Sequence, residues 1–245
     1  MAAAIETIGL TMTYRHRGQF VEVLKGIDLR VEEGTACAFL GPNGSGKTTV
    51  MHILLGFLKQ TGGEAWVLGT NVKQAIERQR IGYLPERPQS YPFLTGNELL
   101  DMAGRIFGLR GRKLKERRQD LVEMVGLNDA ARRRIGTYSR GMLQRIGMAQ
   151  ALINDPDLVI LDEPTGGLDP VARLDVRCII ETLRGLKKTI FFSSHELSEA
   201  ELVCDHLVIL ANGRVVAQGA AEELVGDGER LEPYFLKAIG ARRAA

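Results

Sequence analysis

The feature of this chain that most constrains its fold is a glycine-rich stretch at residues 41–49. It matches the pattern Gly, four residues, Gly-Lys-Ser/Thr, which cradles phosphate groups where a buried strand passes into a helix. Both flanks meet that condition, since an apolar run at 35–40 precedes the stretch and a helix-like run at 49–55 follows it. The stretch reads Gly41, Pro42, Asn43, Gly44, Ser45, Gly46, Lys47, Thr48 and Thr49.

The residue types in this loop predict how it would hold a nucleotide. Glycines let backbone N–H groups turn toward phosphate oxygens, and the N-terminus of the following helix adds partial positive charge. Lys47 is expected to reach the β- and γ-phosphates, and the Thr48 hydroxyl is expected to hold Mg²⁺. The alternative is a glycine-rich turn with a solvated lysine, and the agreement between the loop and its flanks disfavours it.

Composition narrows the class of protein. A chain of 245 residues with 44% apolar and 25% charged residues is an ordinary globular protein, large enough for one sizeable core. Its net charge of +2 indicates no general affinity for polyanions. The three cysteines are scattered, which suggests a reducing compartment. We find no signal-peptide pattern and no run near the ~18 apolar residues that span a bilayer, so we expect any membrane role to need a partner.

Hydrophobic periodicity predicts strands that alternate with helices. Because parallel strands are connected in this way, the fold class expected is α/β, with the nucleotide at the carboxyl edge of a mainly parallel sheet. The polar residues 15–18 are expected to turn between the first two strands, and Asn212-Gly213 to turn a late hairpin. Predicted strands lie at 5–13, 19–31, 35–40, 62–69, 80–86, 158–161, 189–193, 207–210 and 214–217, with helical stretches at 95–152, 170–186 and 220–245.

An acidic pair follows the buried strand at 158–161. Carboxylates at such a place are costly unless they meet a cation or water, and Mg²⁺ at the phosphate loop supplies that reason. Asp162 is expected to bind the metal through water, and Glu163 to accept a proton from the attacking water. The alternative is an acidic helix cap before Pro164.

Three more motifs surround that strand. Tyr-Ser-Arg-Gly-Met-Leu-Gln-Arg lies at 138–145, Gly-Leu-Asp-Pro at 167–170 and Ser-Ser-His-Glu at 193–196. With these motifs in this order, the chain resembles the ATP-binding cassette (ABC) ATPases over almost its whole length. The signature at 138–145 is the most specific of them, since many nucleotide-binding families share the phosphate loop and the acidic pair.

The resemblance implies roles for individual residues. In the family, the signature contacts the γ-phosphate bound by the opposite subunit, a role that falls here to Ser139 and the N–H of Gly141. Asp169 would belong to a loop that couples the two sites, His195 would be the γ-phosphate switch, and Tyr14 would stack on adenine. Structural alternatives stay open, with Tyr14 a strand-end aromatic, His195 a structural histidine and Asp169 a helix N-cap.

Two motifs depart from the family pattern. Arg140 and Met142 replace the first glycine and the glutamine of the usual Leu-Ser-Gly-Gly-Gln signature, and Glu86 replaces the family's loop glutamine. Both variants resemble the bacterial export-type (ABC-2) subgroup, whose cassettes pair with separate membrane permeases. An ionised glutamate only accepts hydrogen bonds. We therefore expect Glu86 to sit back from the nucleotide, as a coupling residue at the hinge after Pro85 or a solvated hinge residue, and not as an Mg²⁺ ligand.

Taken with the motifs, the resemblance implies an ATP-hydrolysing motor with ATP and Mg²⁺ bound. Two copies would pair head to tail and drive a separate transmembrane permease, for export. The subunit would lie at the cytoplasmic face of the inner (plasma) membrane, held peripherally by that permease. Within a single ABC ATPase domain of residues 1–245, residues 1–86 and 153–220 would form a P-loop NTPase core with an N-terminal antiparallel β subdomain. Residues 87–152 would form an inserted helical signature subdomain, and 221–245 a helical tail.

Rival functions stay open at this point. One is a soluble ABC ATPase that acts on ribosomes or nucleic acid, and another is a regulatory module that does not hydrolyse ATP. No nucleic-acid partner is expected, because leucines interleave with the basic run at 110–118 and make it the solvated face of an amphipathic helix. Glu163, Lys47 and His195 argue for hydrolysis.

Overall fold

The structure is a computed structural model that describes residues 2–16, 18–74, 78–88, 91–226 and 230–240. Strands and helices alternate through these ranges, as the periodicity predicts. The strands are β1 (Ala3–His16), β2 (Gln19–Glu32), β3 (Ala36–Leu40), β4 (Gly62–Val67), β5 (Thr70–Asn71), β6 (Ile81–Leu84), β7 (Leu158–Leu161), β8 (Thr189–Ser194), β9 (His206–Ala211) and β10 (Arg214–Ala220). The helices are α1 (Lys47–Leu54), α2 (Gly96–Ile106), α3 (Gly111–Met124), α4 (Arg140–Ala151), α5 (Pro170–Gly185), α6 (Leu197–Val203), α7 (Ala221–Val225) and α8 (Leu231–Ala238).

The strands form two sheets, and the predicted α/β fold class is confirmed. One sheet has the order β10-β9-β3-β8-β7-β6 and is parallel except for the β9–β10 hairpin. The other has the order β2-β1-β4-β5 and is antiparallel. Helices α2, α3 and α4 lie in sequence between β6 and β7, where the helical insertion was predicted. The carboxyl ends of β3, β7 and β8 therefore meet at one edge of the parallel sheet.

The parallel sheet has a hydrophobic core on each face. Successive residues of a strand point to opposite faces, and every residue of β3 is buried. Ala38 and Leu40 pack with the helices, including Val176 of α5. Cys37 and Phe39 pack with α1 and the antiparallel sheet. This two-sided burial explains why β3 is an unbroken apolar run, and it fixes the phosphate loop at the end of a rigid strand.

Some element boundaries differ from those predicted. Arg15 and His16 belong to β1, which pairs with β2 as far as the His16–Gln19 register, so the polar turn predicted at 15–18 is shorter. The hairpin at Asn212 and Gly213 is confirmed, and both residues have positive φ angles of 50° and 76°. Helix α6 was not predicted as a separate element. In the tail, β10 continues to Ala220 before α7 and α8, and residues 241–245 lie outside the described residues.

The basic run on α3 is tied to the rest of the chain. Arg118 is ion-paired with Asp101 of α2 at 2.7 Å, and Arg117 donates to the Leu152 carbonyl at 2.5 Å. Arg112 pairs with Glu116 one turn along the helix. These contacts occupy three of the guanidinium groups that could otherwise bind a polyanion.

Candidate active site

The phosphate loop folds into a turn that ends on helix α1. Gly44 and Gly46 have φ angles of 79° and 111°, in the left-handed region that side chains disfavour. Gly41 lies so close to β9 that an added Cβ would be 2.3 Å from the Leu210 carbonyl oxygen. Glycine is therefore required at these positions for backbone shape and for close packing. The result is a concave loop whose following helix starts at Lys47.

Two polar side chains of the loop suit it to an anion. Lys47 is only 7% exposed, and its ammonium donates to the Gly41 carbonyl at 2.7 Å. The Ser45 hydroxyl is buried and has no hydrogen-bond partner among the described residues. A buried hydroxyl without a partner is costly, and a phosphate oxygen would satisfy it. The loop therefore fits the phosphate group that its sequence pattern predicts.

Asp162 lies in a network of hydroxyl groups at the end of β7. It is 2% exposed, and its two oxygens accept from Thr48 Oγ1 at 3.0 Å and from Ser193 Oγ at 2.6 Å. Ser193 Oγ in turn accepts from the Glu163 backbone N–H at 2.8 Å. Ser193 is not among the predicted site residues, although a serine near the end of an otherwise apolar strand is a visible signal in the sequence.

The oxygens of Thr48 and Asp162 are of the kind that Mg²⁺ prefers. No group of three or more His, Cys, Asp or Glu side chains in the described part of the chain could hold a metal by itself. A metal at this position would therefore rely on these two side chains together with phosphate oxygens. Two side-chain oxygens completed by phosphate oxygens are a ligand set that fits Mg²⁺.

Glu163 lies between two basic groups. Its backbone has a φ of 48°, an unusual left-handed conformation for this residue type. One carboxylate oxygen is 3.4 Å from the Lys47 ammonium. The other is 2.7 Å from Nδ1 of His195 and 3.3 Å from the His195 backbone N–H. Since an ionised carboxylate only accepts, His195 Nδ1 is the donor in this contact.

Five of the predicted residues make direct contacts with one another, in two groups. Three other predicted residues lie apart from both groups. Thr48 meets Asp162, and Glu163 meets Lys47 and His195. These residues line a cleft of about 570 Å³ or lie directly beneath it. The lining of the cleft does not include Tyr14, Ser139 or Gly141.

The three remaining residues have local structural contacts. Ser139 is exposed and caps α4, with its hydroxyl accepting from the Met142 N–H at 3.3 Å. At Gly141, an added Cβ would lie 2.6 Å from the Cβ of Ala172, so this glycine also lets α4 approach α5. Tyr14 pairs with Val21 in the antiparallel sheet and packs on the core there.

Glu86 lies in the lining of the phosphate cleft, closer to it than expected for a residue set back at the hinge. Its side chain is exposed and makes no hydrogen bond or ion pair with another described residue. Pro85 and Pro88, from the same short segment, line an apolar groove of about 370 Å³. The segment 85–88 therefore forms part of the wall of both the cleft and the groove.

A tyrosine in the wall of the apolar groove stays in its neutral form. Burial, with a smaller contribution from the nearby Asp162 carboxylate, raises the pKa of Tyr83 to about 12. Its hydroxyl lies 3.4 Å from Nε2 of His52, and its ring contacts Phe57 edge-on. Tyr83 therefore links helix α1 to the apolar groove without adding charge.

Comparison with known proteins decides the family. The sequence model described as "ABC transporter" matches residues 24–166, from the antiparallel sheet through the acidic pair. The chain belongs to the ABC transporter ATP-binding proteins. An uncharacterized ABC transporter ATP-binding protein of Nostoc sp. is 44% identical over 91% of this chain and 68% of its own length. The Nod factor export ATP-binding protein I of Cupriavidus metallidurans is 37% identical over 86% of this chain and 74% of its own length.

Solved structures of ABC cassettes share the fold. A structure described as the ATP-binding subunit of an ABC transporter superposes with a TM-score of 0.84 and 29% identity, over 96% of this chain and 99% of that one. A dimeric ATP-binding cassette in a post-hydrolysis state, bound to ADP and Pi, gives a TM-score of 0.80 and 25% identity, over 89% and 98%. The resemblance inferred from the motifs is thereby confirmed, and the exporter among the relatives is consistent with the export-type subgroup. None of the helices in the described ranges of this ABC protein combines the length and apolar character that a membrane crossing requires.

Proposed function

We propose that this ABC protein is the ATP-hydrolysing motor of an exporter, working as a head-to-tail dimer on a separate transmembrane permease. The observation that most supports hydrolysis is the position of Glu163, with its carboxylate held between Lys47 and His195 at the mouth of the phosphate cleft. A carboxylate held in this way is placed to take a proton from a water molecule that attacks the γ-phosphate.

Each residue around the phosphates has a distinct task in this mechanism. Lys47 would exchange the Gly41 carbonyl for β- and γ-phosphate oxygens, and backbone N–H groups of the loop would bind the rest. The Ser193 hydroxyl would fix the Asp162 carboxylate relative to the Glu163 backbone. His195, which already donates to Glu163, would orient that carboxylate toward the water and contact the γ-phosphate.

Thr48 and Asp162 would hold Mg²⁺. When bound, the ion would supply positive charge that offsets the negative charge developing on the phosphate during hydrolysis. In their present state the two side chains bond to each other, so the hydroxyl already points at the carboxylate. This arrangement keeps both oxygen donors at the cleft before the metal arrives.

The head-to-tail dimer is supported by the placement of the signature. Ser139 caps an exposed helix end, outside the cleft of its own chain. This position supports a contact with the γ-phosphate bound by a second chain, as the family resemblance implies. The dimeric cassette among the similar structures is consistent with such an interface. Tyr14 is proposed to stack on adenine at the edge of the antiparallel sheet.

The permease is proposed to dock in the apolar groove beside the cleft. Exposed aromatic and aliphatic side chains line it, with Phe57 56% and Ile106 76% exposed. Large apolar groups exposed together are typical of an interaction surface. Docking there would hold the protein peripherally at the cytoplasmic face of the inner membrane.

Purification with the membrane partner tests this proposal. The protein should co-purify from detergent-solubilised membranes with a permease, and the purified complex should hydrolyse ATP only when Mg²⁺ is present. Chelation of Mg²⁺ should remove turnover and leave the complex assembled. Recovery of the protein with ribosomes or nucleic acid, and without a membrane protein, would overturn the transporter function.

Glu86→Ala is expected to separate hydrolysis from transport. Because Glu86 lines the cleft without a partner among the described residues, its loss should leave ATP hydrolysis by the isolated subunit within about twofold of the unchanged protein, a change of about 0.4 kcal/mol in the activation barrier. In the assembled complex, hydrolysis should continue while transport falls. The measurement is hydrolysis with and without permease beside transport in the same preparation.

Two comparisons make the Glu86 result decisive. Glu86→Gln supplies the glutamine usual in the family and serves as the matched control for size. Loss of Mg²⁺-dependent turnover in the isolated Glu86→Ala subunit would place the residue in the metal site and contradict a coupling role.

A further inference from the structure

Arginine side chains hold one short loop from both sides. The loop consists of Gly166, Gly167 and Leu168, between the acidic pair and α5, and we call it the clamped loop. Arg140 Nη2 donates to the Gly166 carbonyl at 3.0 Å, and Arg173 Nε donates to the Leu168 carbonyl at 2.9 Å. One arginine comes from the first residue of α4 and the other from the start of α5. The loop is thus tied to both helices.

Gly167 forms a seat for the Arg140 guanidinium. Its φ is 63°, and an added Cβ would lie between 2.5 and 2.7 Å from three guanidinium atoms of Arg140. Any side chain at this position would therefore displace the arginine. Arg140, which replaces a glycine of the usual signature, thus packs against another glycine, Gly167, of its own chain.

The clamped loop is bonded to residues that are proposed to act at the γ-phosphate. The Gly166 N–H donates to the Glu163 carbonyl at 3.0 Å. On the other side, Arg173 also forms an ion pair with Glu196, the residue that follows His195. A displacement of the loop therefore reaches Glu163 directly and His195 through Arg173 and the adjoining residue Glu196.

We infer that Arg140 and Arg173 are positioning residues that tie the signature of each subunit to the hydrolytic groups of the same subunit. The inference rests on the proposed function, in which Ser139 meets the nucleotide held by the partner. When α4 engages that nucleotide, Arg140 moves with it and carries the clamped loop, and the loop sets Glu163. Each site then responds to the nucleotide in the other, which makes hydrolysis cooperative.

Steady-state ATP hydrolysis by the full-length dimer, measured against ATP concentration, tests the inference. Arg140→Gly supplies the usual family residue and should lower kcat between about 10-fold and 100-fold, the cost of a small misplacement of reacting groups. The Hill coefficient should fall toward unity. Arg140→Lys should recover part of kcat, because an ammonium can reach the Gly166 carbonyl but cannot lie flat on Gly167.

A double-mutant cycle isolates the contact itself. Gly167→Ala should lower kcat and the Hill coefficient by displacing the guanidinium. If the two residues act as one unit, Gly167→Ala should add little in the Arg140→Gly background. Fully additive losses of kcat would contradict a contact between Gly167 and Arg140. The effect of Gly167→Ala would then come from the loop backbone alone.

Arg173→Gln should lower kcat and the Hill coefficient in the same way. The matched control is Arg177→Gln, one turn further along α5, where the ion pair is with Glu199 and not with the loop. It should keep the kcat and the Hill coefficient of the unchanged protein, even if its melting temperature falls as far as that of Arg173→Gln.

The outcomes distinguish this inference from the proposed function. If the unchanged protein neither dimerises with ATP nor hydrolyses it, the proposed function fails. If it hydrolyses ATP cooperatively, and Arg140→Gly and Arg173→Gln do the same with equal kcat, the inference is wrong and the proposed function stands.

Discussion

Glu163→Gln is expected to bind ATP normally and to lose most of its turnover. The amide has nearly the same shape as the carboxylate but cannot accept a proton from water, and general-base contributions run to about 10²–10⁴-fold. Its carbonyl oxygen can still accept the hydrogen bond that His195 donates at 2.7 Å. With the geometry kept and the base removed, the variant should accumulate as an ATP-bound dimer, which a sizing column will detect.

The control for this substitution removes an equivalent charge elsewhere. Glu199 of α6 is a partly buried carboxylate that pairs with Arg177 of α5, and it does not line the cleft. Glu199→Gln should hydrolyse ATP at the rate of the unchanged protein. Unchanged turnover in Glu163→Gln would remove Glu163 from the base role.

Ser139→Arg should abolish hydrolysis by the dimer without weakening ATP binding to the monomer. Ser139 lies outside the cleft of its own chain, so the bulky cation obstructs only the site formed with a partner. Loss of the cap on α4 will also cost about 1 kcal/mol of stability. Thr95→Ala removes the equivalent cap from α2 and is the control, since it should lose stability but keep turnover.

Mixing variants shows which chain supplies the signature. When Ser139→Arg chains are combined with Lys47→Ala chains, one site of each mixed dimer has an intact loop and an intact signature, and the other has both defects. Activity should partly return in the mixture, because the intact site can work. If Ser139→Arg lowers ATP affinity of the monomer as much as Lys47→Ala does, Ser139 belongs to the site of its own chain.

Local patterns predict those parts of the molecule that local interactions determine. The phosphate loop is identified by its glycines, whose positive φ angles at Gly44 and Gly46 exclude most other residues. The all-apolar strands β3 and β7 indicate burial on both faces, as a parallel sheet requires. Asp169 is a helix N-cap, one of the roles that its sequence position suggests. Its carboxylate caps α5 by accepting from the Ala172 N–H at 2.9 Å.

Contacts between distant segments could not be predicted in this way. Ser193 reaches Asp162 only because β7 and β8 pair in one register, with Leu161 opposite Phe192. The left-handed conformation of Glu163 likewise depends on the turn that follows β7, and hydrophobic periodicity does not predict it. Arg140 is visible in the sequence as a departure from the family signature, but the seat that Gly167 offers lies 27 positions further along the chain.

The segment 85–88, which borders both the phosphate cleft and the apolar groove, constrains how this protein can change over evolutionary time. If a permease docks in the groove as proposed, residues of α2 such as Ile106 can vary to suit a new permease without altering the phosphate cleft. Pro85 and Pro88 are more constrained, because they line the groove and also set the position of Glu86 in the wall of the cleft. Among ABC transporter ATP-binding proteins of this kind, we therefore expect substitutions to be frequent on α2 and rare at Pro85 and Pro88.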